Sequence, residues 1–115
     1  MSKFVIFLRD EPTVFNGLSP AEMQAVFQRY RTWRDSLFAR GLEPGGRKLN
    51  DTTGRVMKRN SGKVVVTDGP YAEAREVLGG LFEFNADSFE QAIEIARDCP
   101  HLDFGSIEIR EVEVT

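Results

Sequence analysis

Two side chains in this sequence carry the chemistry of a minimal acid–base pair. Asp68 stands in the run Val66-Thr67-Asp68-Gly69-Pro70-Tyr71-Ala72-Glu73, and His101 is the chain's one histidine. A neutral imidazole oriented by a carboxylate is a minimal general base. The valines before Asp68 read as a strand, and Asp-Gly-Pro ends it abruptly, since glycine opens unusual backbone angles while proline fixes φ and removes a donor. That puts a carboxylate on a shaped loop at a strand end, where sites tend to lie. The same residues serve equally as an Asx-type turn, with the Asp68 side chain bonded to nearby amides. His101, in Cys99-Pro100-His101-Leu102, is expected to meet Asp68 across the sheet, against the simpler reading of a loop histidine that packs on backbone.

Four further residues are candidates for contacting a ligand. Tyr30 and Trp33 lie three apart on one helical segment, share a face, and offer a phenol and an indole donor. Such residues also serve as core with the polar atom satisfied at its edge. Tyr71 and Glu73 belong to the polar set of the Asp-Gly-Pro loop. No metal-ligand spacing such as HxxEH or paired CxxC occurs, and neither GxGxxG, GxxxxGK[ST] nor GxSxG is present, so no metal or cofactor is expected. Gly79 and Gly80 suit a close backbone approach or a bulge better than a phosphate site. Cys99 follows an apolar helix face and reads as a small buried hydrophobe.

The elements that must position these residues follow from periodicity. Phe4-Val5-Ile6-Phe7-Leu8 is apolar throughout, as in a strand covered on both faces, and Arg9-Asp10-Glu11-Pro12 ends it. Leu18-Ser19-Pro20-Ala21-Glu22-Met23 starts a helix, with Ser19 as N-cap, Pro20 first, Glu22 completing a capping box and Leu18/Met23 as a staple. Met23, Val26, Phe27, Tyr30, Trp33, Leu37 and Phe38 form its apolar face, and Gly41 stops it with Leu42 folding back. A turn at Glu43–Gly46 precedes a short strand near Arg47–Asn50. Arg55–Lys58 and Lys63–Thr67 flank a hairpin turn at Arg59–Gly62, and a helical turn is expected over Ala72–Glu76. Leu81–Phe84 is a strand. Asp87-Ser88-Phe89-Glu90 starts a second helix, with Phe89, Ala92, Ile93 and Ala96 as its inner face, and Pro100 ends it. The final strand, Ser106–Val114, breaks phase near Arg110–Glu111.

Strand, helix, hairpin region, strand, helix, strand is an α+β order. It fits a single ferredoxin-like βαββαβ sandwich over residues 1–115 with an inserted hairpin. Two helices cover one face only, yet the first strand offers Phe4, Ile6 and Leu8 to one face and Val5 and Phe7 to the other. A second copy of the same sheet is the economical cover, so a homodimer is expected.

Thr67-Asp68-Gly69-Pro70-Tyr71-Ala72-Glu73, Gly79-Gly80, Cys99-Pro100-His101 and Ser106-Ile107-Glu108-Ile109-Arg110 together resemble the YCII-related, or DGPF-domain, family along nearly the whole chain. Tyr71 stands where the family's run usually has phenylalanine. The resemblance implies a dimeric α/β-barrel of two ferredoxin-like protomers and little chemistry, since most members have no established activity. Founding members carry an acid–base histidine on the first helix, paired with an aspartate. The matching position here falls about Tyr30, so that proposal does not carry over intact. Relatives of the DGPF type are often encoded beside, or fused to, extracytoplasmic-function sigma factors, which implies a regulatory association.

Composition narrows the partners. Over 115 residues, 41% hydrophobic and 29% charged residues are ordinary for a soluble globular domain, and a net charge of −3 gives no bias toward polyanions, so direct nucleic-acid binding is not expected. The basic clusters Arg29/Arg31/Arg34 and Arg55/Lys58/Arg59/Lys63 read as solvated faces. No signal peptide or membrane span is expected, since Lys3 interrupts the N-terminus and no apolar run nears about 20 residues. One cysteine fits a reducing cytoplasm. The preferred reading is a small-ligand-binding or regulatory module with its pocket between the helical face and the Asp68 loop. Beside it stand a cofactor-free acid–base enzyme using Asp68 and His101, aided by Tyr30, and an accessory protein of a sigma-factor transcription system.

Overall fold

The computed structural model describes residues 1–51, 53–68 and 76–114. It contains β1 (Ser2–Asp10), α1 (Pro20–Ala39), β2 (Gly45–Lys48), β3 (Arg55–Asn60), β4 (Lys63–Asp68), β5 (Val77–Ala86), α2 (Phe89–Arg97), a 3₁₀ turn (Pro100–Asp103) and β6 (Gly105–Glu111). The architecture is α+β: two helices and antiparallel sheets. Four strands form one sheet in the order β2-β5-β1-β6, while β3 and β4 form a separate two-stranded sheet.

The helix boundaries follow local chemistry. Ser19 Oγ accepts from the Glu22 amide at 3.1 Å and the Glu22 carboxylate accepts from the Ser19 amide at 3.0 Å, which satisfies two otherwise orphaned donors. At the other end the Leu42 amide donates to the Leu37 carbonyl and the Gly41 amide to the Phe38 carbonyl, with Gly41 at φ 72°. This is the double bond pattern of a Schellman stop, with Leu42 and Leu37 buried against the core. Ser88 caps α2 through the Gln91 amide. The β3–β4 hairpin turns on Ser61 and Gly62, both at positive φ, the twist a two-residue hairpin loop needs.

In β1 the alternation sends Phe4, Ile6, Leu8 and Asp10 to the helix-covered face, where all four are buried. Trp33 and Leu37 from α1 and Ala92, Ile95 and Ala96 from α2 pack there with Phe84 and Ala86. The opposite face keeps Val5 and Phe7 half-buried. Both helices differ in part from the periodicity reading. Phe38 is exposed, and on α2 Ile95 is buried while Ile93 and Phe89 stay on the rim, Phe89 meeting Phe4 edge-on at 5.4 Å. Both stripes have helical spacing, and packing against the core selects between them. β5 is longer than the expected Leu81–Phe84, taking in Gly79 and Gly80, and β6 ends at Glu111, where the phase breaks.

The β1–β5 register shifts between Leu8, which faces Gly80, and Arg9, which faces Leu78. Gly79 is therefore the extra residue of a bulge, the kind of feature that re-aims neighbouring side chains. The residue it serves is Asp10.

Candidate functional site

Asp10 is the last residue of the buried β1 row, a carboxyl where the pattern Phe4, Ile6, Leu8 continues. It is only 4% exposed, and among the described residues its Oδ1 has no hydrogen-bond partner. Gly79 makes room for it: a Cβ there would lie 3.3 Å from both carboxylate oxygens. Burial raises the Asp10 pKa above the ordinary carboxylate value. Asp51 and Glu76 push the same way, while His101 and Lys48 oppose them.

His101, 2% exposed, is held by the 3₁₀ turn. Its Nε2 lies 2.8 Å from the Arg9 carbonyl, which only accepts, so Nε2 carries a hydrogen and donates. In the neutral ring Nδ1 is then the acceptor, and the Tyr30 hydroxyl, 2.9 Å away, donates to it. Both ring nitrogens are thus committed within the protein. Gly105 permits this closeness, since a Cβ there would meet the Arg9 carbonyl oxygen at 1.9 Å and His101 Nε2 at 3.0 Å. Burial pushes the Tyr30 pKa far up, with Cys99 and Asp10 adding to it, so Tyr30 stays a phenol. Burial likewise pushes the neighbouring Cys99 thiol up to about 11, which leaves it a protonated core group.

Asp10, Tyr30 and His101 line a cavity of about 230 Å³ between α1 and the β1/β5 end of the large sheet. Leu8, Phe15, Val26, Phe27 and Phe82 give it an apolar wall, and Arg34, Arg47 and Lys48 bring cations to its rim. Lys48 is already spent on Asp51, at 2.9 Å. Gly46 and Gly80 line the floor because side chains would not fit: a Cβ at Gly46 would strike the Phe82 ring at 2.6 Å, and one at Gly80 the Arg47 carbonyl at 2.9 Å.

The sequence-derived residues separate. His101 and Tyr30 come together. Trp33 is buried, donates its indole N–H to the Ile95 carbonyl at 3.3 Å, and stands edge-on to Phe82 and Phe84, so it acts as core. Asp68 ends β4 with its side chain 91% exposed and faces Arg55 at 3.6 Å. No hydrogen bond joins it to His101 among the described residues; the hairpin that carries it does not pair with the large sheet, and the carboxyl beside His101 is Asp10. Tyr71 and Glu73, like the helical turn expected over Ala72–Glu76 except for Glu76, lie outside the described residues. Asp10 and Arg34 were missed. Strand alternation from Leu8 points Asp10 inward, and Arg34 follows Tyr30 by one helical turn.

Among the described residues, no group of three or more His, Cys, Asp or Glu side chains is arranged to hold a metal, and no helix is long and apolar enough to cross a membrane. A family model of the YCII-related domain matches residues 2–114. The chain belongs to the YCII-related family. An uncharacterized protein of Rhizobium meliloti (strain 1021) is 32% identical over 71 residues, 60% of this chain. The match covers 57% of that relative's length, less than two thirds of it. Among the described residues of this YCII-related domain, the buried polar side chains Asp10 and His101 both line this cavity.

Proposed function

We propose that this YCII-related domain is a small-ligand-binding module and that its ligand occupies the cavity beside Asp10. The observation that carries the reading is the buried Asp10 carboxyl on the lining of the cavity, with its Oδ1 unpartnered among the described residues. A buried acceptor without a donor costs about 1–3 kcal/mol, an arrangement that makes sense where a ligand supplies the donor. At about 230 Å³ the space is below the ~300–1,000 Å³ of drug-sized sites, so the ligand is small. Tyr30 and His101 hold the wall, and Tyr71 and Glu73, outside the described residues, are proposed as further ligand contacts. The acid–base alternative with Asp68 and His101 draws no specific support, because both ring nitrogens of His101 are engaged by Tyr30 and Arg9. The sigma-factor association and the cytoplasmic setting rest on the resemblance and the single cysteine alone.

The protomer is further proposed to be ferredoxin-like and to close as a homodimeric α/β-barrel. The order β2-β5-β1-β6 is the one that plan requires, and Val5 and Phe7 remain half-buried on the face without helices. The radius of gyration, 16.3 Å, exceeds the roughly 13 Å of a compact domain of this length. The β3–β4 hairpin adds exposed Met57, Val64, Val65 and Val66, and a lone two-stranded hairpin is marginal in water.

The test is a thermal-shift screen of small polar metabolites against the wild type and Asp10→Asn. A ligand at 100 times its Kd stabilises by about 2.7 kcal/mol, a shift of several degrees. Hits are expected that stabilise the wild type and fail on the variant. A screen with no hit, or hits that ignore Asp10, would overturn the proposal.

A further inference from the structure

A second charged residue lines the cavity, Arg34, whose side chain is 40% exposed. Arg34 Nε is buried and unpartnered among the described residues, while the far end of the same guanidinium reaches Asp35 at 3.4 Å. Arg34 and Asp10 line the same space. One is a cationic N–H donor in want of an acceptor, the other a carboxyl oxygen in want of a donor. Each is more costly unsatisfied than a neutral group, and each is strongest with a complementary partner. The two demands fix a polarity. Asp51 and Glu76 add negative charge on the Asp10 side, and Lys48 is neutralised by Asp51, so an anion is favoured beside Arg34 and disfavoured beside Asp10. Between them the wall is apolar, with Leu8, Phe27 and Phe82 suited to a hydrocarbon body.

We infer that the ligand class is a small monocarboxylate that also carries a hydroxyl or ammonium donor and an apolar side group, its carboxylate at the Arg34 guanidinium and its donor at the Asp10 carboxyl. The inference rests on the cavity being the binding site and adds the class to it. Its chemistry is recognition only, with no bond made or broken.

The probes are lactate, 2-hydroxyisocaproate, 3-phenyllactate and phenylalanine, each titrated calorimetrically into the full chain. They are compared with 3-phenylpropionate, which lacks the donor, and methyl 3-phenyllactate, which lacks the charge. At least one of the four is expected to bind, with phenylalanine against 3-phenyllactate deciding between ammonium and hydroxyl. Removal of either group is expected to weaken binding about tenfold, the worth of one charge-assisted hydrogen bond. Arg34→Met should weaken the acid about tenfold and leave the ester unchanged, and Asp10→Ala should do the converse with hydroxylated and unsubstituted acids. Circular dichroism confirms that both variants fold, and if Asp10→Ala does not, Asp10→Asn replaces it. Equal affinity for acid and ester, indifference to Arg34, or no binding by any of the four overturns the inference. A screening hit that depends on Asp10 but lacks a carboxylate would overturn the class and leave the cavity standing; no hit at all would remove both.

Discussion

At the scale of single residues, the candidate site is built around a carboxyl that interrupts an otherwise apolar row. Asp10 sits where Leu8 plus two falls, and the sequence displays it, although Arg9-Asp10-Glu11-Pro12 also reads as a strand ending. Local pattern does not separate the two, because the distinction depends on how far β6 and β5 keep pairing with β1. His101 and Tyr30 were legible as candidates, and their mutual bond was not, since it depends on the 3₁₀ turn docking beside α1. Asp68 is the opposite case: a strong local signal on a hairpin that does not pair with the large sheet, a placement no local rule reveals. The raised Asp10 pKa has a consequence for stability. Below its unfolded value near 3.8 the group is protonated in both states and costs nothing. As pH rises from there through the higher folded value, the unfolded chain releases its proton first, and stability is lost. Asp10→Asn removes that loss. Urea unfolding from pH 3 to pH 7 should therefore show the stability of the variant minus that of the wild type rising with pH; a constant or falling difference would contradict the burial of an ionisable Asp10.

At the scale of elements, the helix ends and the hairpin turn were readable because they are settled within a few residues by caps and positive-φ positions. The inner face of α2 was not, because Phe89-Ala92-Ile93-Ala96 and Ala92-Ile95-Ala96 obey the same spacing and only packing on the sheet decides. The Gly79 bulge and the tight crossing at Gly105 were equally hidden: glycine at either position is compatible with many backbones. Gly105 is the sharper test of the β1–β6 joint. A methyl group there would sit 1.9 Å from the Arg9 carbonyl that His101 bonds, so backbone must move. Gly105→Ala is expected to cost about 3 kcal/mol, the upper range for overpacking, seen as a lower urea midpoint with an unchanged m-value. A loss under about 0.5 kcal/mol would show that the two strands do not meet as described.

At the scale of the molecule, the α+β class was legible from element order alone. The proposed dimer extends the same reasoning to what one chain leaves uncovered: Val5 and Phe7 on the open sheet face and the valines of the hairpin. Light scattering at micromolar concentration should give twice the 13.0 kDa chain mass, and Phe7→Lys should shift it toward the monomer. A monomeric wild type would remove the dimer and leave the cavity, which one chain lines by itself, unaffected.

The cavity is tested most directly by ¹H–¹⁵N correlation spectra recorded while the best stabilising metabolite is titrated in. Amide shifts are expected to concentrate at Asp10, Tyr30, Arg34, Gly79 and His101, and to vanish in Asp10→Asn. Shifts centred instead on the β3–β4 hairpin or on the Val5/Phe7 face, with the Asp10 end of β1 unmoved, would contradict binding at this site.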